Sequence, residues 1–391
     1  MKNKTKVFSI VLFISGLMML IFCGKQEKVE KIREDGVEVI VNHLEPYKIK
    51  GEPSTLNLEE EFTIDTEKDE IAELGVPDIR SFDIDSEGNI YFLLSRENFV
   101  FKFNKDGHFI TSFGKRGQGP GEINWPTSLR INNHDEIEII DRLGRKFLIF
   151  RDDGNLIKEI HIKSITIQVI TPLANGNYLI ARRFFDRQGK YLYQFPLSIC
   201  SSEFDEIKEL DRRRIPRSFK INRGEGLPYV FIWAISDKNI YVGNAERGYE
   251  ICIYNLDGKL LRKIKKEYKQ VEVTEEFKKK IQITFGQLPT IEKIYFPKYM
   301  PPFQYFFTND EGRLFVVTYE KGNNPMEYIC DIFNSEDVFI GRKSLKGFAP
   351  YFFPDLIERL SMAKAKKNRL YCLSEKESGY KELVVYKMKW E

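Results

Sequence analysis

The stretch that decides the fold is FGKRGQGPGEINWPTSLRINNHDEIEIIDRLGRKFLIFRDDGNLI, residues 113–157. It opens with Gly114, Gly117, Gly119 and Gly121 beside Lys115 and Arg116. Glycine and a cation are also what a phosphate-cradling loop needs. A dinucleotide fingerprint, however, follows a strand and opens a helix, with the spacing G-x-G-x-x-G. Here the glycines read G-x-G-P-G and lead through Pro126 into SLRIN, an alternating strand-like segment. No helix N-terminus is offered to a phosphate. The glycines are expected to turn the chain between two β units, where positive φ is needed.

The segment on either side repeats. SFDIDSEGNIYFLLSRENFVFKFNKDGHFITSFG (81–114) aligns with SLRINNHDEIEIIDRLGRKFLIFRDDGNLIKEI (128–160), each reading as four short strands. Asp106-Gly107 and Asp153-Gly154 lie 47 residues apart between alternating strands, a strong hairpin signal. The unit recurs with more drift at 168–210, 229–264, 303–345 and 362–390. Six four-stranded units of this length predict an all-β fold, a six-bladed β-propeller. The last unit stops after its third strand, while LNLEEEFTID (56–65) reads as a fourth strand without its first three. The N-terminal strand is therefore expected to complete the last blade and close the ring, which removes unpaired edges. An earlier strand, VEVIVNH (37–43), has no assigned place; an outer blade edge is one candidate.

With Phe113-Gly114, the glycines 117 to 121, Pro126, the turn at Asn133–Glu136, IEII and LIFRDDG, the stretch resembles an NHL repeat. The resemblance implies a propeller and no particular activity.

The N-terminus carries an address. MKNKTK is basic, Val7–Phe22 is apolar or small throughout, and Cys23-Gly24 precede a charged segment. This is the layout of an export signal, and the apolar run is short for a permanent span of about 20 residues. Leu20-Ile21-Phe22-Cys23 resembles a lipobox, and the whole resembles the bacterial six-bladed-propeller lipoproteins. The expected organisation is a signal peptide over 1–22, a tether lipidated at Cys23 with the early strand over 23–55, and the propeller over 56–391. An uncleaved anchor and simple secretion are the other readings. All three place the chain outside the cytoplasm.

A net charge of +3 points to no polyanion partner, so no nucleic acid is expected. Local charge is less even. Loops of the face carrying the second-to-third and blade-to-blade connections are basic around units two to four. Lys115, Arg116, Arg145, Arg182, Arg183, Arg212, Arg213, Arg214 and Arg217 are the candidates there for an anionic partner, such as an acidic glycan, an anionic surface or an acidic protein. The same face holds the long segments 114–127, 211–228, 265–302 and 346–361, which makes it the place to seek a ligand.

Catalytic chemistry finds little support. DIDSEGN (83–89) begins like a calcium loop, but the twelfth position is Leu94, so a repeat turn is expected. His43, His108, His134 and His161 form no metal-binding pair, and no nucleophile elbow occurs. Neither metal nor cofactor is expected. Cys200, Cys252, Cys330 and Cys372 lie in apolar strand-like runs and read as free core thiols. The leading expectation is a cell-envelope binding or scaffolding module. The rivals are a hydrolase or lyase acting at the channel and a purely structural subunit.

Overall fold

The computed structural model describes residues 29–68, 72–73, 79–94, 99–164, 166–185, 191–216, 223–225, 231–285, 293–324, 327–346, 363–376 and 378–391. The signal segment and Cys23 lie outside these residues.

Six antiparallel sheets form the blades. Blade one orders Ile79–Ile84, Ile90–Leu94, Val100–Phe103 and Phe109–Phe113 from inside outward, and blade two Pro126–Ile131, Ile137–Asp141, Lys146–Phe150 and Leu156–His161. Blade three runs from Ile167–Pro172 through Tyr178–Arg182 and Tyr191–Cys200 to Glu206–Pro216. Blade four comprises Phe231–Ile235, Asn239–Asn244, Glu250–Asn255 and Leu260–Lys266. Blade five comprises Tyr305–Thr308, Leu314–Lys321, Glu327–Phe333 and Phe339–Lys346. In blade six, Ala363–Lys366, Arg369–Glu375 and Lys381–Trp390 are followed by the N-terminal Leu56–Asp65, paired antiparallel from Trp390↔Leu56 to Glu382↔Asp65.

Both faces of each central strand are covered by a neighbouring blade, so central strands read as unbroken apolar runs. In IYFLL (90–94), Ile90, Phe92 and Leu94 pack toward blade six, while Tyr91 and Leu93 pack toward blade two. Six buried clusters among the described residues each join two successive blades. Cys200, Cys252, Cys330 and Cys372 are free and buried within these layers.

The early strand Val37–Asn42 lies parallel to Leu260–Lys266 on the outer edge of blade four, and Glu30–Glu34 adds a sixth strand beyond it. The segment expected as a tether is therefore held on the ring from Glu30 onward. The helix Glu275–Phe285 starts where Thr274 Oγ1 accepts from Phe277 N at 3.2 Å, and Ile281 is fully buried beneath it.

The glycine-rich stretch is a link between blades. Gly114 and Gly121 take φ of 101° and 71°, which side chains resist. Its carbonyls point inward: Lys146 Nζ donates to Gln118 O (3.0 Å) and Gly119 O (2.6 Å). Asp141 accepts from Asn124 N and Trp125 N, both at 2.7 Å. In DIDSEGN, Asp85 closes the turn, accepting from Glu87 N, Asn89 N and Tyr91 OH.

Candidate ligand site in the central channel

The innermost strands leave a cavity of about 610 Å³ on the ring axis. It is lined by those strands and by their first-to-second turns, among them Asn132-Asn133, Ser236–Asn239 and Asn309–Gly312. These turns are four or five residues long and hydrogen-bonded within themselves, as in Ser236 N to Asn239 O (2.9 Å) and Asn309 N to Arg313 O (3.1 Å). Turns this short do not reach across the axis, so the channel stays open on their side. The cavity thus lies on the face opposite the long connections, where the sequence suggested looking.

Contacts at this end join every blade to the next. Ile131 N donates to Asp83 Oδ2 (3.0 Å), Asn133 Nδ2 to Ala174 O (3.3 Å), and Asn175 Nδ2 to Leu256 O (3.2 Å). Thr308 Oγ1 donates to Ile235 O (3.3 Å) and Tyr305 OH to Ala363 O (2.9 Å). Between blades six and one, Lys366 Nζ donates to Ile84 O (2.9 Å), and Lys364 Nζ stands 2.7 Å from Asp83 Oδ1. The lining is therefore a fixed scaffold, which favours binding because little order is lost on occupancy.

Its charged lining is Asp83, Arg130, Lys364 and Lys366 at the joint of blades six, one and two, and Asp237, Lys238, Asp310 and Glu311 in the inner turns of blades four and five. Asp83 and Arg130 occupy equivalent positions on adjacent inner strands, and both are buried. Burial alone would push the Asp83 carboxyl up. Lys364, Arg130 and the Ile131 N–H together outweigh it and hold the carboxyl below its ordinary range. Burial also pushes the Lys364 ammonium down, to about 8; Asp83 opposes this, and Arg130 adds to it. The Lys364 side chain keeps 21% of its accessibility because it faces the channel. Thr171 Oγ1 and Trp233 Nε1, on blades three and four, are buried without a hydrogen-bond partner, the indole within the apolar layer between those blades. No cluster of His, Cys, Asp and Glu able to hold a metal occurs among the described residues.

The basic residues singled out in the sequence fall on three stretches. Lys115 and Arg116 lie exposed in the link between blades one and two, with Lys115 2.8 Å from Glu122. Arg145 stands in the second-to-third turn of blade two and donates to Lys163 O at 2.9 Å. The rest belong to blade three. Arg182 donates to Phe204 O at 2.8 Å, and Arg183 is exposed beside Phe184. Arg212, Arg213 and Arg214 are not in a loop: the ten-residue strand Tyr191–Cys200 offers ladder partners beyond the blade body, and Glu206–Pro216 follows it outward. Arg212 is held by Glu209 and Gln194, while Arg213 lies over the Phe195 ring at 5.6 Å. Arg217 lies outside the described residues. The channel residues Asp83, Arg130, Lys364, Thr171 and Trp233 carried no signal as single positions. Charged residues on innermost strands, where apolar ones are usual, are the trace that points to them.

The chain is similar in structure to a protein of Bacteroides fragilis described as exported, at 14% identity and a TM-score of 0.50, over 90% of this chain and 99% of that one. A DUF4221-family protein of Bacteroides vulgatus is similar at 11% identity and a TM-score of 0.48, over 87% of this chain and 100% of that one. No curated protein matches the chain. Residues 79–282, more than half of the 391, match the family described as 6-bladed beta-propeller, and the chain accordingly belongs to the DUF5128 family of six-bladed β-propellers.

Proposed function

We propose that the protein is an exported binding propeller of the cell envelope, tethered through a lipid on Cys23, which takes a small polar ligand at the channel mouth. The observation that carries this reading is the cavity of about 610 Å³ on the ring axis, open on the side of the short inner turns and lined by charged and polar residues of all six blades. The export layout of residues 1–24 supports the address. Among the described residues no helix is long and apolar enough to cross a membrane, which is compatible with a lipid tether.

The test is retention of small molecules from a polar envelope extract by the purified chain, read by mass spectrometry, against the cavity-filling variant Ala234→Phe. A compound retained by the native chain and lost from the variant is the expected result. Equal retention by both, or none by either, contradicts the reading.

A second reading, a macromolecular anionic partner, is favoured by blade three. There Phe184 and Phe185 are 39% and 49% exposed, next to exposed Arg183; Gln194, the ladder partner of Phe184, also pairs with exposed Arg214 two strands away. Binding to an acidic polysaccharide that weakens with salt and with Arg183→Glu/Arg214→Glu is its expected signature. Salt-independent binding contradicts it.

A further inference from the structure

Resting on the lipid tether proposed above, we infer that the ring docks on an anionic bilayer through the long-connection face of blades one to three, with the channel mouth turned away from the membrane. The tether supplies the first argument. Glu30 already pairs within the outermost strand added to blade four. Seven residue steps lead to it from Cys23, at most about 25 Å of extended chain. A domain of this length has a radius of gyration of about 20 Å. A lipid on Cys23 therefore keeps the ring at the bilayer surface, and one of its sides meets the headgroups.

Exposed apolar side chains mark which side. Trp125 is 41% exposed and Leu143 64%, and Phe184 and Phe185 are exposed beside them in sequence order. They stand on the link between blades one and two and on the second-to-third connections of blades two and three. Hydrogen bonds join these connections into one surface. Arg142 N donates to Trp125 O (3.0 Å), the Arg145 guanidinium to Lys163 O (2.9 Å), and Arg183 N to Thr166 O (2.7 Å). The other exposed large apolar side chains of these three blades sit within outer strands. Among the described residues, the blade turns of the channel face expose none.

The charges between these side chains suit a lipid surface. Among the described residues of the connections 114–125, 142–145, 162–166 and 183–185, every exposed charged residue is a cation: Lys115, Arg116, Lys163, Arg145 and Arg183. The acids nearby are engaged. Glu122 faces Lys115 at 2.8 Å, buried Asp141 accepts from Asn124 N and Trp125 N, and Glu159 accepts from Gly121 N and faces Lys146. Past blade three the same face is mixed, with Glu246, Glu267, Glu272 and Glu275 exposed, so the contact is confined to the first three blades. Tryptophan, phenylalanine and leucine settle at headgroup level while cations meet the anionic leaflet. An exposed leucine anchors in a bilayer but offers a sugar ring no aromatic face, which favours lipid over polysaccharide here.

The experiment uses the full chain extracted from membranes and reconstituted in vesicles of equal parts phosphatidylcholine and phosphatidylglycerol, the phosphatidylcholine carrying brominated acyl chains. Of the three tryptophans, Trp233 is buried and Trp125 is the exposed one. Tryptophan fluorescence is expected to be quenched by the brominated lipid, and Trp125→Tyr to remove most of that quenching. Lys163→Glu/Arg183→Glu, and separately Leu143→Asp, are each expected to reduce it at least twofold with circular dichroism intact. Absence of Trp125-dependent quenching overturns the inference, as does equal quenching in both variants. So does alginate binding by the detergent-solubilised chain without lipid quenching, which assigns the face to a polysaccharide. The mass of Cys23 in the same sample reports the lipid independently. A lipidated chain without quenching leaves the tether standing and refutes the docking; an unmodified Cys23 with quenching does the reverse.

Discussion

Glu138 illustrates how a single buried group couples the ring to pH. It lies on the second strand of blade two, with Oε1 accepting from Asn132 Nδ2 at 3.1 Å and facing Tyr178 OH of blade three at 3.5 Å. Its Oε2 is buried without a partner. Burial raises the carboxyl to about 7 and Glu136 adds to this; Asn132 and Tyr178 pull the other way. Because the folded value exceeds the unfolded one of 4.5, the folded state holds the proton longer. Stability from this group is full below about 4.5 and is lost as pH rises through 7. Glu138→Gln is therefore expected to stabilise the protein by roughly 2–3 kcal/mol at pH 8 and by far less at pH 4.5, measured by urea unfolding at both. An equal effect at the two pH values contradicts the assignment. At this scale the sequence is legible only where chemistry is local. Asp85 closes its own turn within six residues, so the turn could be read from DIDSEGN. The Asp83–Lys364 pair could not be, because its members belong to the first and last blades and meet only through ring closure.

Among the elements, the N-terminal strands show what pattern reading reaches. VEVIVN alternates and reads as a strand, but its position on blade four depends on contacts with distant residues. Asn42, fully buried, fixes it there: its Nδ2 donates to Asp337 O at 3.1 Å, and its Oδ1 accepts from Phe339 N at 2.8 Å, joining the edge of blade four to blade five. Asn42→Leu removes both bonds and leaves two buried backbone groups unmatched. A loss of roughly 2–4 kcal/mol is expected in urea unfolding, and a change below about 0.5 kcal/mol would remove the anchoring role. The partner EKIRE went unread because it is charged and largely exposed, with nothing apolar to mark it. The tight hairpins were legible for the opposite reason. Asp106-Gly107, Asp153-Gly154 and Asp257-Gly258 place glycine at φ of 87°, 86° and 80°, a local demand that only certain residues meet. The outer strand of blade three ran past its expected end, since the length of Tyr191–Cys200 and not its own composition extends it.

For the whole molecule, closure and the channel are the two properties that matter. A chain beginning at Pro46 loses the outer additions to blade four and the Asn42 bonds to blade five, and keeps the ring closed. One beginning at Thr66 also loses Leu56–Asp65 and leaves Lys381–Trp390 as an open edge. The first is expected to stay monomeric with a single unfolding transition. The second is expected to aggregate or lose cooperativity, as size exclusion and thermal unfolding would register. A compact monomer from the second would contradict the role of that strand in closure. The propeller was legible from its repeats because each blade restates one local pattern. The face bearing the cavity was not, because loop length marks elaboration while the channel is shaped by turns too short to cover it. The most direct test of the channel as ligand site is amide hydrogen exchange of the full chain with and without a compound retained from the envelope extract. Slowed exchange is predicted in the inner turns Asn132–Glu136 and Ser236–Asn239 and in Ala363–Lys366. Protection confined to Glu206–Pro216 of blade three, or absent from the inner turns, would contradict it.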